Sequence, residues 1–152
     1  MPQPWSALFQ INQDPLMALN IDGVTQAMAD RAPAEGVNAI AWILRHILDY
    51  RIETLAAVQA GAFKPSSPEP KTLPELMAAI TEVQTALARA FDAVEDWTVV
   101  KRHPALPAPM PLDQIVGVFL VHDAYHAGQL GTARRLLGLP GAIKAPEKAV
   151  HA

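Results

Sequence analysis

Proline placement constrains this chain more than any other feature. A proline inside a helix costs about 3 kcal/mol, because it lacks the backbone N–H and its ring clashes with the preceding turn. Long helices are therefore confined to the stretches between prolines. Pro33 and two clusters, Pro65/Pro68/Pro70/Pro74 and Pro104/Pro107/Pro109/Pro111, leave four open stretches: Leu16 to Ala32, Ala34 to Lys64, Glu75 to His103 and Leu112 to Leu139. Ala, Leu, Gln, Glu, Met and Arg dominate these stretches, alternating β-branched runs are nearly absent, and Thr98-Val99-Val100 is too short to found a sheet. The pattern predicts an all-α protein, a four-helix bundle with long proline-rich connections.

Local signals set the expected boundaries. Asp14-Pro15 reads as an N-cap followed by a first helical residue, predicting a helix over 14–31. The second is expected over 38–60, with Ile40, Ile43, Leu44, Ile47, Leu48 and Leu55 on its apolar face and Gly61 ending it. Thr72-Leu-Pro-Glu75 is a capping box opening a third helix over 73–97, where Leu76, Ile80, Val83, Leu87, Phe91 and Val94 recur at helical spacing. Pro111 starts a fourth over 111–137, carrying Ile115, Val118, Phe119, Leu130 and Leu137 and stopped by Gly138. The connections 62–73 and 98–110 are candidate lids or crossovers, and the polar tail 142–152 is expected to be mobile.

A chain of 152 residues buries enough surface to fold as a single domain without disulfides or a structural metal, so any metal should serve chemistry. The absence of cysteine excludes disulfide frameworks, Cys-type zinc sites, iron–sulfur clusters and a cysteine nucleophile in this chain. A net charge of −3, with the basic residues scattered, lacks the electrostatic footprint of a nucleic-acid binder. The first thirteen residues are uncharged, so the basic region of a secretory signal is missing, and no uncharged run approaches the ~18 residues of a membrane span. A soluble cytoplasmic protein with no nucleic-acid or membrane partner is expected.

Histidine chemistry remains. His122 and His126 stand four residues apart in the fourth predicted helix, hence on one face and one turn apart. The pair has two readings, ligation of one ion or two half-buried polar residues, and it lacks the glutamate of the H-E-x-x-H motif. His46, between Trp42 and Tyr50 and beside the Ile43/Ile47 stripe, should face the bundle interior or its edge. There it is either a core histidine with a hydrogen-bond partner or a third ligand. Burying several imidazoles together without a ligand is costly, whereas a divalent ion is satisfied by their neutral nitrogens.

The segment N-x-x-x-W-I-L-x-H ending at His46, with H-D-x-Y-H-A-G-Q-L-x-x-x-R-R-L-L-G-L-P from His122 to Pro140, resembles the DinB-like (DinB/YfiT) superfamily of metal-binding four-helix bundles. Carried over by position, the resemblance implies that His46, His122 and His126 are the metal ligands. It further implies a possible homodimer and, by analogy with mycothiol-dependent maleylpyruvate isomerase and the bacillithiol transferases, a thiol-dependent transferase or isomerase acting on a small-molecule substrate. Many members have no assigned reaction, and a non-catalytic metal- or ligand-binding module is the alternative.

Three protein ligands with one position left open is the arrangement of a catalytic centre. Without cysteine, the thiol must come from a low-molecular-weight cosubstrate. Imidazoles suit zinc, nickel, copper and iron alike, with zinc or nickel the first expectation. Asp49 and Asp123 are candidate carboxylates behind the ligating imidazoles, with a solvated surface charge the competing reading for each. Tyr125 is a candidate proton donor or a packing aromatic. Gln129 contacts a ligand or lies on the surface, and Gly128 and Gly131 are expected to permit close helix approach. Arg134 and Arg135 sit where the helix dipole favours cations. His103, among prolines, and His151, in the tail, are placed outside the site.

Overall fold

The computed structural model describes residues 4–59 and 61–142; the expectations for the tail and for His151 lie outside the described residues. The chain runs through α1 (Trp5–Ile11), a π-helical turn (Asn12–Met17), α2 (Ala18–Ile21), α3 (Gln26–Asp30), α4 (Ile40–Val58), α5 (Leu73–Asp92), a two-stranded ribbon of β1 (Val100–Lys101) and β2 (Met110–Pro111), and α6 (Leu112–Leu136). The fold is all-α. α1, the π turn and α2 form one bent member of the bundle, and α4, α5 and α6 are the other three, with α4 packed against both α5 and α6.

The first helix departs most from expectation. It begins at Trp5, ahead of Asp14-Pro15, and Asp14 is the non-helical residue (φ −135°, ψ 108°) at which the member bends. Proline restricts the residue before it to extended conformations, so Asp14-Pro15 is a kink inside this member rather than its start. Gly23, at φ 72°, turns the chain after α2, and Thr25 caps the separate α3 by accepting from the Met28 N–H.

α4 ends at Val58 with Gln59 as its C-cap, before Gly61, and its last carbonyls are held from elsewhere: Lys101 Nζ donates to Ala57 O (2.8 Å) and Val58 O (3.4 Å). α5 opens on the expected capping box, with Thr72 and Glu75 each taking the other's backbone N–H. It stops at Asp92, five residues short of the predicted end at position 97. Asp96 accepts from both the N–H and the hydroxyl of Thr98, a local turn that competes with helix continuation. α6 closes as predicted: Gly138 has φ 86°, and the N–H groups of Gly138 and Leu139 donate to Arg135 O and Arg134 O in a Schellman motif. Arg134 does more than complement the dipole, since its buried guanidinium donates to Pro140 O, Asn20 O and Asp22 O and stitches α2 to the end of α6.

Both proline-rich connections are tied down. Arg45 Nη2 donates to Pro70 O and Ser66 N–H to Glu82, while β1 pairs antiparallel with β2, Val100 opposite Pro111. The core gathers Ile40, Ile43, Leu44, Ile47 and Leu55 of α4, Leu76, Ile80, Val83 and Leu87 of α5, and Ile115, Val116, Phe119 and Leu130 of α6. Gly131 meets the expectation of close approach, since a Cβ there would come 3.2 Å from Asn20 Oδ1. Gly128 does not: it opens onto a cavity of about 350 Å³.

Thr72→Ala removes the side-chain half of the capping box and is expected to cost about 1 kcal/mol, lowering the melting temperature by roughly 3 °C. Thermal unfolding followed by circular dichroism checks it, and an unchanged melting temperature would show that Glu75 alone holds the turn.

Candidate metal centre

His46 projects from the middle of α4, and His122 and His126 project one turn apart from α6, the helix packed against it. The three imidazoles converge: one ring nitrogen from each lies within 4.8 Å of the others. His46 Nε2 and His122 Nε2 are 3.0 Å apart, and the His126 ring centroid lies 4.5 Å from that of His46 and 4.4 Å from that of His122. This is the set of three that the sequence brought forward.

The donor set fits a divalent cation. Nitrogens held about 2.0–2.1 Å from one tetrahedral ion lie roughly 3.3 Å apart, close to the observed Nε2 separation. Two imidazole lone pairs facing each other repel unless a proton or a cation stands between them, and a cation serves all three rings together. His126 is held from behind: Nδ1 donates to Gln129 Oε1 at 2.7 Å, which leaves Nε2 free to accept. Gln129 is thus the polar residue behind His126.

Aromatic rings wall the cluster. Trp42 stacks on His46 (centroids 4.8 Å, planes 14° apart), Tyr50 meets the His122 ring at 4.3 Å, and Phe119 lies against Tyr50 at 5.5 Å. Tyr50 entered the sequence reading only as a flanking residue, though its place one turn after His46 already puts it on the same face.

The three residues expected to assist catalysis occupy different settings around the cluster. Asp123 is 2% exposed and both its oxygens accept from Arg51, at 2.9 and 3.0 Å, so it is neither a surface charge nor the carboxylate behind His122. Asp49 is exposed on α4 and acts on His46 through its field, favouring the charged imidazole. Tyr125 is 63% exposed, edge-on to His126 at 5.1 Å, on the solvent side of the cluster. His103 stays outside the cluster, as expected, but it is a core residue at 1% exposure: its ring packs on Phe119 at 4.3 Å, Nδ1 accepts from Ala105 N–H, and Nε2 lies 3.8 Å from Glu53.

The electrostatics favour the neutral imidazole at His46 and at His122. Burial first, then the neighbouring His126 and His46, push His122 down to about 4, against an opposing pull from Asp123. Burial and His126 also lower His46, with Asp49 opposing. A ligating imidazole must be unprotonated, so metal occupancy is expected to hold as pH falls through 6.5 and to drop as pH approaches about 4, where His122 takes up its proton. The same shifts act on the metal-free fold. The unfolded chain takes up protons near pH 6.5 while the folded one does so only lower, so stability falls on acidification across that window. Metal content after equilibration across the pH range, with thermal melts of metal-free protein at pH 7 and pH 5, checks both; a melting temperature that rises on acidification would contradict the assignment.

Comparisons with known proteins agree with this architecture. Comparison with curated protein sequences gives no match. The crystal structure of a conserved protein from Enterococcus faecalis is similar with a TM-score of 0.72, covering 90% of this chain and 96% of its own at 14% identity, a likeness in fold. The family model of the DinB superfamily matches residues 9–130, a span that opens in α1 and takes in all three clustered histidines. With its helical bundle and that match over most of its length, the chain belongs to the DinB superfamily.

Proposed function

We propose that this protein binds a divalent metal ion, zinc or nickel first among the candidates, through His46, His122 and His126, and that it transfers a low-molecular-weight thiol to an electrophilic small molecule. The observation that carries this reading is the meeting of His46 with the His122/His126 pair, three imidazole nitrogens from two packed helices. A cation held there would supply Lewis acidity and bring the pKa of a thiol or a water toward neutrality.

The chain's own residues do the rest. Gln129 holds His126 in the tautomer that presents Nε2. Tyr50 and Phe119 cover one side of the imidazoles with apolar surface, which strengthens electrostatic interactions at the centre. Trp42, 47% exposed and parallel to His46, offers a flat apolar surface for part of a substrate. The chain has no cysteine, so the sulfur is brought by a cosubstrate. In the reaction the thiol gives up its proton to solvent and the sulfur bonds to an electrophilic carbon, either breaking a π bond whose electron pair takes up a proton from solvent at the neighbouring atom, or breaking the bond to a leaving group that departs with its electron pair.

The test uses protein purified without a histidine tag, its metal content measured after replenishment, then assayed with a panel of small thiols and electrophiles. Stoichiometric metal with thiol-dependent turnover supports the proposal. Stoichiometric metal without turnover across the panel leaves a non-catalytic metal-binding module, and no metal uptake removes the premise.

A further inference from the structure

Arg51 does not touch the metal centre, yet it is 1% exposed and every N–H of its guanidinium is used. Nε and Nη2 donate to the two oxygens of Asp123 at 2.9 and 3.0 Å, and Nη2 donates also to Phe9 O at 3.1 Å. Nη1 donates to Gln13 Oε1 at 2.8 Å and Gln84 Oε1 at 3.3 Å. Both glutamines extend the network, Gln13 Nε2 to Thr81 Oγ1 and Gln84 Nε2 to Ser6 O. One buried side chain therefore ties together α1, the π turn, α4, α5 and α6.

Stability alone does not account for this arrangement. A buried ion pair can often be exchanged for apolar residues of similar volume with no loss of stability, because desolvating two charges offsets much of their attraction. An apolar interface, however, is permissive about rotation and sliding. A slip of one residue along a helix turns its side chains by about 100° and moves them by about 1.5 Å, enough to carry an imidazole away from its neighbours. The Arg–carboxylate fork accepts a single planar geometry and does not tolerate that slip. Asp123 directly follows His122 and precedes His126 by three residues on α6, and Arg51 follows His46 by five on α4.

We infer that the Arg51–Asp123 pair is the positioning device of the metal centre: it fixes the rotation and axial offset of α6 on α4 so that His122 and His126 meet His46. The inference rests on reading the three histidines as metal ligands. Arg51 and Asp123 are positioning residues here, acting through the helices that carry the ligands.

The test compares cobalt(II) binding by the full chain in four forms: wild type, Arg51→Met/Asp123→Leu, Asp123→Asn, and Ile80→Ala as a core truncation on α5 at a side chain that makes no hydrogen bond to the Arg51 network. The double variant replaces both charges by apolar groups and is expected to keep its helical circular dichroism. It should bind cobalt at least about tenfold more weakly, with an altered visible absorption spectrum. Asp123→Asn, which keeps the shape and loses the charged fork, should weaken binding in the same direction. Ile80→Ala should lose stability yet keep the wild-type affinity and spectrum. A folded double variant or Asp123→Asn protein that binds cobalt as wild type does would overturn the inference. So would an Ile80→Ala protein whose affinity falls in step with its stability. Failure of the wild type to take up cobalt would instead bring down the three-histidine reading itself, before any variant is compared.

Discussion

Replacing His122 or His126 by alanine is expected to lower the affinity for zinc or nickel by more than about 100-fold while leaving the bundle folded. Loss of a group that only orients a ligand typically costs 10–100-fold in affinity, and here a donor nitrogen itself disappears. The fold should survive because Ile40 to Leu55 on α4, Leu76 to Leu87 on α5 and Ile115 to Leu130 on α6 supply an apolar core that the histidines border rather than form. Gln129→Leu, which removes only the acceptor behind His126 Nδ1, should fall within that smaller range. Calorimetric titration of untagged, metal-free protein, paired with far-UV circular dichroism, reads both quantities. Unchanged affinity in His126→Ala would mean that the convergence of the three rings is not a ligand set, and collapse of helicity would mean that the centre is part of the fold.

Arg51→Met alone should be the most destabilising single substitution outside the apolar core, costing about 3–5 kcal/mol and lowering the melting temperature by roughly 10 °C. The reason is the partner left behind. Asp123, at 2% exposure, would be left buried with no cation beside it, and Gln13, Gln84 and Phe9 O would each lose a donor. For a domain whose whole stability is on the order of 5–15 kcal/mol, that is a large share. The comparison with Arg51→Met/Asp123→Leu separates the damage of an orphaned charge from the value of the pair, since the double variant should recover much of the loss. Urea unfolding of both gives the answer, and a single variant less than about 1 kcal/mol below wild type would show that water reaches Asp123.

How much of this was legible in the sequence varied with the reach of the interactions. The capping box at Thr72 and the left-handed Gly138 are local devices, and each marked its helix end correctly. The His122/His126 pair was legible because helical periodicity alone puts residues four apart on one face. Asp14-Pro15 misled because a proline that opens a helix and one that kinks it look alike locally, and what decides is the packing of Phe9 and Met17 into the core on either side of the bend. Asp123 misled for the opposite reason. Acidic residues are usually exposed, but Asp123 lies four after Phe119 and four before Ala127, both buried, so its register was a core register. Arg51 carried the same signal, four after Ile47 and four before Leu55. Two opposite charges at core positions of different helices predict one another, provided both are weighed together.

The stacking of Trp42 on His46 makes the centre self-reporting to light. Trp5 and Trp97 face each other at 6.3 Å, with Phe91 against Trp97, whereas Trp42 lies parallel to a candidate ligand ring at 4.8 Å and is 47% exposed. Its indole emission should therefore be the red-shifted, water-exposed component of the fluorescence, and the one dimmed when copper(II) or cobalt(II) docks a few ångströms away. Metal entry could then be timed in a stopped-flow instrument on the unlabelled protein, with Trp42→Phe as the dark control.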